Sequence, residues 1–132
     1  MIINENSILY FSGTGNTYEV SEKVAMKSNL KLINVSDLVN EQIIEINCEV
    51  IGLAFPVYYG GMPKIIRNVI DKIVLLELKY TFALATYGGI HKNQFKILED
   101  ELRKKEIKLD RTIKRKRYRN PNVNYLKVLL KE

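Results

Sequence analysis

Long apolar runs are missing from this chain. No stretch of about 18 apolar residues occurs among its 132 residues, so a membrane-spanning helix is not expected. Cysteine is nearly absent. Cys48, the only one, excludes an internal disulfide and a cysteine-ligated iron–sulfur cluster, and it fits a reducing cytoplasm. Its place beside an apolar strand marks it as a small core or near-surface residue rather than a reactive thiol. The opening Met1-Ile2-Ile3-Asn4-Glu5 has neither a basic region nor a long apolar stretch, so no secretory signal is expected there and the expected location is cytoplasmic. No internal repeat and no low-complexity linker interrupts the chain, whose length suits one domain, 1–132, around one core.

What is present begins with Ser12-Gly13-Thr14-Gly15-Asn16-Thr17. The apolar Ser7-Ile8-Leu9-Tyr10-Phe11 before it reads as a strand, and Val20, Val24 and Ala25 after it recur at helical spacing. A strand, a hydroxyl- and glycine-rich turn and a helix together make a phosphate site. The first amides of the helix have no intrahelical partner, and the helix dipole favours an anion there. Ser12, Thr14 and Thr17 add hydroxyl donors, while Gly13 and Gly15 let the backbone approach closely. The loop lacks the lysine of a triphosphate loop and the third glycine of a dinucleotide loop, so a single phosphate monoester suits it better. The plainer alternative is a polar turn with a Ser or Thr helix cap.

Alternating elements follow. Strands are expected near 7–11, 31–35, 49–55, 80–86 and 107–118, and helices near 16–28, 63–77 and 92–106, with a weaker turn or short helix around 37–43. Val50–Phe55 and Tyr80–Ala85 are nearly continuous apolar runs, as central parallel strands require. Such alternation predicts an α/β fold with a parallel sheet covered on both faces. Pro63 opens the second long helix, and Ile65, Ile66, Val69, Ile70 and Ile73 form its buried stripe.

Three segments together resemble a known family. Tyr10–Thr17 is similar to the FMN-phosphate loop of flavodoxins, [ST]-x-T-G-x-T. Phe55-Pro56-Val57-Tyr58-Tyr59-Gly60-Gly61-Met62-Pro63 resembles the loop over one flavin face in flavodoxin-like proteins fused to a ferredoxin domain. Ala85-Thr86-Tyr87-Gly88-Gly89 falls where flavodoxins place their other flavin loop. The resemblance runs through nearly the whole chain. It implies a flavodoxin-like three-layer α/β/α sandwich with strand order 2-1-3-4-5, a family in which FMN is bound at the topological switch point. It also implies FMN contacts from Ser12, Gly13, Thr14, Gly15, Asn16, Thr17, Pro56, Val57, Tyr58, Tyr59, Gly60, Gly61, Thr86, Tyr87, Gly88 and Gly89. By the same resemblance, Tyr58 or Tyr59 stacks on the isoalloxazine, with Tyr58 slightly favoured. A peptide near Tyr59-Gly60-Gly61 rearranges on flavin reduction, and Tyr87 faces the opposite side. Packing at a sheet edge is the other reading of both tyrosines. His91 reads as an exposed residue of a first helical turn, or as a cation near flavin N1.

Charge departs from the acidic balance of many flavodoxins. The chain carries +6, and the excess is local: between Arg103 and Arg119 ten Lys/Arg face Glu106 and Asp110, a balance of +8, whereas elsewhere eleven face thirteen, a balance of −2. Tract 103–119 reads either as a solvated edge strand, since lysines protect open edges, or as a partner-binding arm.

Three functions are open at this stage. The first is an FMN electron carrier exchanging electrons with redox partner proteins, such as an acidic ferredoxin or a reductase steered by the tract. The second is an FMN-dependent NAD(P)H:quinone-type reductase. The third is a non-catalytic binding module whose tract holds nucleic acid or an anionic surface; a solvated face is the commoner origin of such a run, so nucleic acid is not the expected partner.

Overall fold

The computed structural model describes residues 1–13, 15–57, 61–87 and 94–116. In chain order the elements are β1 (Ile2–Ile3), β2 (Ser7–Tyr10), α1 (Asn16–Ser28), β3 (Lys31–Asn34), a 3-10 turn (Val35–Leu38), β4 (Ile44–Asn47), β5 (Val50–Val57), α2 (Lys64–Asp71), β6 (Ile73–Glu77), β7 (Tyr80–Tyr87), α3 (Gln94–Arg103) and β8 (Arg111–Lys116).

Five of these strands form a parallel sheet in the order β3-β2-β5-β7-β8. Numbered among themselves they run 2-1-3-4-5, the expected order. β5 and β7 lie inside it and are buried along nearly their whole length, which explains their unbroken apolar sequences. Side chains alternate between two cores. Ile8, Ala54, Phe82, Leu84 and Ile113 pack with Val20, Val24 and Ala25 of α1. Leu9, Leu53, Phe55, Ala83 and Ala85 pack on the other face with Ile66, Val69 and Ile70 of α2 and Leu98 and Leu102 of α3. Three layers result, with α1 on one side of the sheet and α2 and α3 on the other.

α1 forms where the apolar spacing foretells it and ends at Asn29, which adopts a left-handed φ of 54°. Asparagine tolerates that conformation, and Leu30 N–H closes on the Ala25 carbonyl at 2.9 Å. Gly52 is equally determined by its surroundings. A Cβ there would lie 2.3 Å from Cζ of Phe82, its lateral neighbour on β7. The ring lies across the bare strand, filling the place of the missing side chain.

Several expectations need correction. The helix foreseen over 63–77 stops at Asp71, and Ile73–Glu77 forms β6 instead. Ile73 is buried as expected, but by pairing with Ile44 of β4 rather than as part of a helical stripe. Ile73-Val74-Leu75-Leu76 continues the α2 apolar pattern in sequence, and a short apolar run does not distinguish helix from strand. β1 and β4 were not foreseen either, being two and four residues long. The weak element expected at 37–43 is the 3-10 turn, a few residues earlier.

β1, β4 and β6 make a second parallel sheet whose order repeats that of β2, β5 and β7, the strands that they immediately precede. The small sheet is thus the amino-terminal continuation of the large one across a seam. Register slips there by one residue: Ile3 pairs with Ile46, but Ser7 pairs with Ile51. At the seam one oxygen serves two amides, twice over. Asn6 Oδ1 accepts from Glu49 N–H and Val50 N–H, both at 3.0 Å. The Glu49 carbonyl accepts from Lys79 and Tyr80 N–H at 3.0 and 2.9 Å. An extra residue absorbed in this way is a bulge, which bends the sheet without breaking its bonding.

Of the basic tract, Arg111–Lys116 is edge strand β8. Asp110 latches its start to β7, donating its N–H to the Thr81 carbonyl and accepting Thr81 N–H on Oδ2, each at 2.8 Å. Ile113 and Arg115 turn inward and are buried, and Lys114 lies 5.9 Å from the centre of the Phe95 ring. Residues 117–119 of the tract lie outside the described residues.

Candidate functional site

The three candidate loops leave β2, β5 and β7, which are adjacent strands, at their carboxyl ends. There the ladder runs out. Phe11 N–H makes a last bond to the Ala54 carbonyl at 2.9 Å, and β2 then turns away into the loop. Pro56 lies two residues beyond Ala54 and addresses the same side of β5, where β2 no longer runs. A proline inside a central strand costs no ladder bond at that point.

The loop is organised by Ser12 and Gly15. Gly15 has φ +87°, a left-handed value that a side chain resists, and open space surrounds the position a Cβ would take. Backbone conformation, not crowding, demands glycine here. Gly15 N–H and Tyr18 N–H both donate to Ser12 Oγ, at 3.0 and 3.2 Å. Amides from the loop and from the first turn of α1 therefore converge on one oxygen at the positive end of the helix dipole. That convergence is the geometry a phosphate oxygen needs. Gly13 and Gly15 are exposed and Asn16 is half-buried, so this side of the loop is open.

Thr17 behaves differently from Ser12. Its side chain is buried against the sheet, and its Oγ1 lies 2.8 Å from Oγ1 of Thr86, the penultimate residue of β7. The loop from β2 is thereby tied to the strand end that leads into the third candidate loop. No sequence signal discloses this contact, which joins residues 69 positions apart.

Pro56 and Val57, expected in a flavin loop, are still within β5 and buried, and Val57 belongs to the α2/α3-side core. Tyr87 is the last residue of β7 and half-buried, and Gly61 is half-buried ahead of α2. Thr14, Tyr58, Tyr59, Gly60, Gly88, Gly89 and His91 lie outside the described residues.

Two tyrosines flank the loop. The Tyr10 and Tyr18 rings stand 5.3 Å apart at 58°, and Tyr18 Oη donates to Glu22 Oε2 at 2.7 Å. That hydrogen bond and the Glu22 charge push the Tyr18 phenol above its usual pKa. Tyr18 was not among the candidates, although its four-residue spacing from Glu22 is the one signal that sequence offers.

No protein-family model matches this chain, and no curated protein matches it significantly. Solved structures do. A protein of Bacteroides uniformis assigned as a flavoprotein superposes with a TM-score of 0.75 at 16% identity, covering 98% of this chain and 99% of that one. The Trp repressor binding protein of Bacillus subtilis gives 0.61 at 15% identity, covering 93% of this chain and 88% of its own. Two-electron reduced flavodoxin from Megasphaera elsdenii gives 0.56 at 16% identity, with 98% and 95% covered. Near-complete coverage in both directions, with the same strand order, shows that this chain has the flavodoxin-like fold.

Proposed function

We propose that the protein binds FMN at the carboxyl ends of β2, β5 and β7 and acts as an electron-transfer flavoprotein. The observation that carries this reading is the convergence of Gly15 and Tyr18 amides on a single oxygen at the start of α1, beside the ends of two neighbouring strands. The residues fit a phosphate monoester: loop and helix-terminal amides gathered on one hydroxyl oxygen, a left-handed glycine and hydroxyl side chains, with no lysine in the loop to demand a triphosphate. Flavodoxins and a flavoprotein among the fold neighbours support the same ligand. Bound FMN supplies the redox chemistry, accepting and releasing one or two electrons. The chain's part is to hold the phosphate at 12–17 and to set the polarity around the ring.

β8 favours acidic redox partners, such as a ferredoxin or a reductase. Among the described residues β8 is the last strand of the sheet, beside β7, with Lys114 exposed and Arg111 half-buried, and a basic edge of this kind accelerates association with an acidic surface. Absorption spectroscopy with added FMN, followed by anaerobic reductive titration, tests the proposal. Stoichiometric binding, with reduction that a partner protein reverses and high salt slows, is the expected result. A folded chain that leaves the FMN spectrum unchanged overturns it. Steady NAD(P)H turnover with a quinone and no partner would replace it with the reductase function.

A further inference from the structure

We propose that Thr86 is a positioning residue for the phosphate site: its hydrogen bond to Thr17 orients the Thr17 hydroxyl so that its proton is available to an anion at loop 12–17. This rests on the FMN reading above.

Both side chains are almost completely buried, with 1% and 0% exposure, and their oxygens are 2.8 Å apart. Phe82 and Leu84 of β7 face α1, and alternation along the strand puts Thr86 on that face too, beneath the first turn of the helix. Thr17 is the second residue of α1, directly behind the loop whose other hydroxyl, Ser12, accepts two backbone amides.

The two hydroxyls have two protons between them, and only one lies in their shared hydrogen bond. Either oxygen can be the donor. If Thr17 donates to Thr86, its proton is spent within the core and only lone pairs are left for the loop, which an anion disfavours. If Thr86 donates to Thr17, the Thr17 proton is released for a third partner. A dianionic phosphate selects the second arrangement, and the chain Thr86 to Thr17 to phosphate oxygen strengthens each bond by polarising the next. Thr86 thus acts on the ligand only through Thr17, although the family resemblance assigns it a direct flavin contact. It also makes the carboxyl end of β7 part of the phosphate site.

The test compares two ligands that differ by the phosphate alone. FMN and riboflavin are titrated against the full chain by flavin fluorescence, with urea midpoints as a check on folding. Thr86→Val keeps the shape and removes the donor: FMN affinity is expected to fall about tenfold and riboflavin affinity to stay within about twofold. Thr86→Ser restores the donor and should restore FMN affinity. In a Thr17→Val background, Thr86→Val should have no further effect on FMN, because the residue through which it acts is gone. If the valine chain does not fold, Thr86→Ala carries the same expectation for the FMN-to-riboflavin affinity ratio. An equal loss for both flavins, an unchanged FMN affinity, or a serine variant as weak as valine overturns the inference and leaves the FMN reading standing. A folded wild-type chain that binds neither flavin overturns both.

Discussion

The two ends of the large sheet treat the same three strands in opposite ways. At the amino end, β2, β5 and β7 are prolonged by β1, β4 and β6, and the seam satisfies its surplus amides by doubling them on Asn6 Oδ1 and the Glu49 carbonyl. At the carboxyl end β2 leaves the ladder while β5 and β7 stay paired. Pro56, opposite Thr86 on β7, falls where β5 has no β2 neighbour, and loop amides gather on one hydroxyl oxygen instead of a ladder carbonyl. An end whose backbone groups are bonded to one another has nothing to offer a ligand. An end that leaves amides aimed at one exchangeable oxygen is ready to receive an anion. The difference lies in the pairing, since the three strands are common to both.

Changes at the centre, at either end or at the rim should separate these contributions. The largest effect is expected from Gly52→Ala, which sets a methyl group against the Phe82 ring in the middle of the sheet. Stability should fall by about 2–3 kcal/mol in urea denaturation, and a second change, Phe82→Leu, should recover much of the loss. Next comes the seam. Asn6→Ala deprives Glu49 and Val50 amides of their acceptor and should cost about 2 kcal/mol, while FMN affinity in the folded chain stays as it was. Gly15→Ala forces a side chain to a φ of +87° and should cost about 1 kcal/mol, but unlike the seam variant it should also weaken FMN.

The smallest effect concerns Tyr18. Replacing Glu22 by Gln removes the charge and the charge-assisted acceptor, so the phenol should titrate closer to its usual value by ultraviolet absorbance. The sign follows from the raised folded pKa. The interaction favours the folded chain below the unfolded phenol pKa and is lost as pH rises through the folded one, so it is complete at neutral pH. Because the pair is exposed to solvent, a clear shift of the phenol with only a slight fall in the urea midpoint at pH 7 is expected.

Much of this was legible in the sequence, for reasons that differ from element to element. β5 and β7 announced themselves because burial on both faces requires unbroken apolar runs, and α1 because its buried residues keep helical spacing behind a glycine-rich turn. β6 was hidden because its isoleucine and leucines continue the stripe of α2. β1 and β4 hold too few residues to display a period. In the site, the loop 12–17 could be read locally because its strand, turn and helix are contiguous. The partner of Thr17 could not, because it lies on β7, which joins the sheet only after the chain has passed through β3 and β5. The burial of Arg115 was masked for a similar reason. A run of lysines and arginines reads as solvated until alternation along β8 turns every second residue inward.

Cys48 gives the seam a built-in stopwatch. It is buried at the junction of β4 and β5, its N–H bonded to the Glu77 carbonyl at 3.3 Å and its Sγ 3.6 Å from the Val50 carbonyl. Burial above all pushes its thiol pKa upward, so a thiol reagent meets neither an accessible sulfur nor a ready thiolate in the closed chain. Alkylation must wait for the two sheets to part at this point. With no second cysteine to blur the signal, its rate at fixed pH counts how often the amino-terminal sheet lets go.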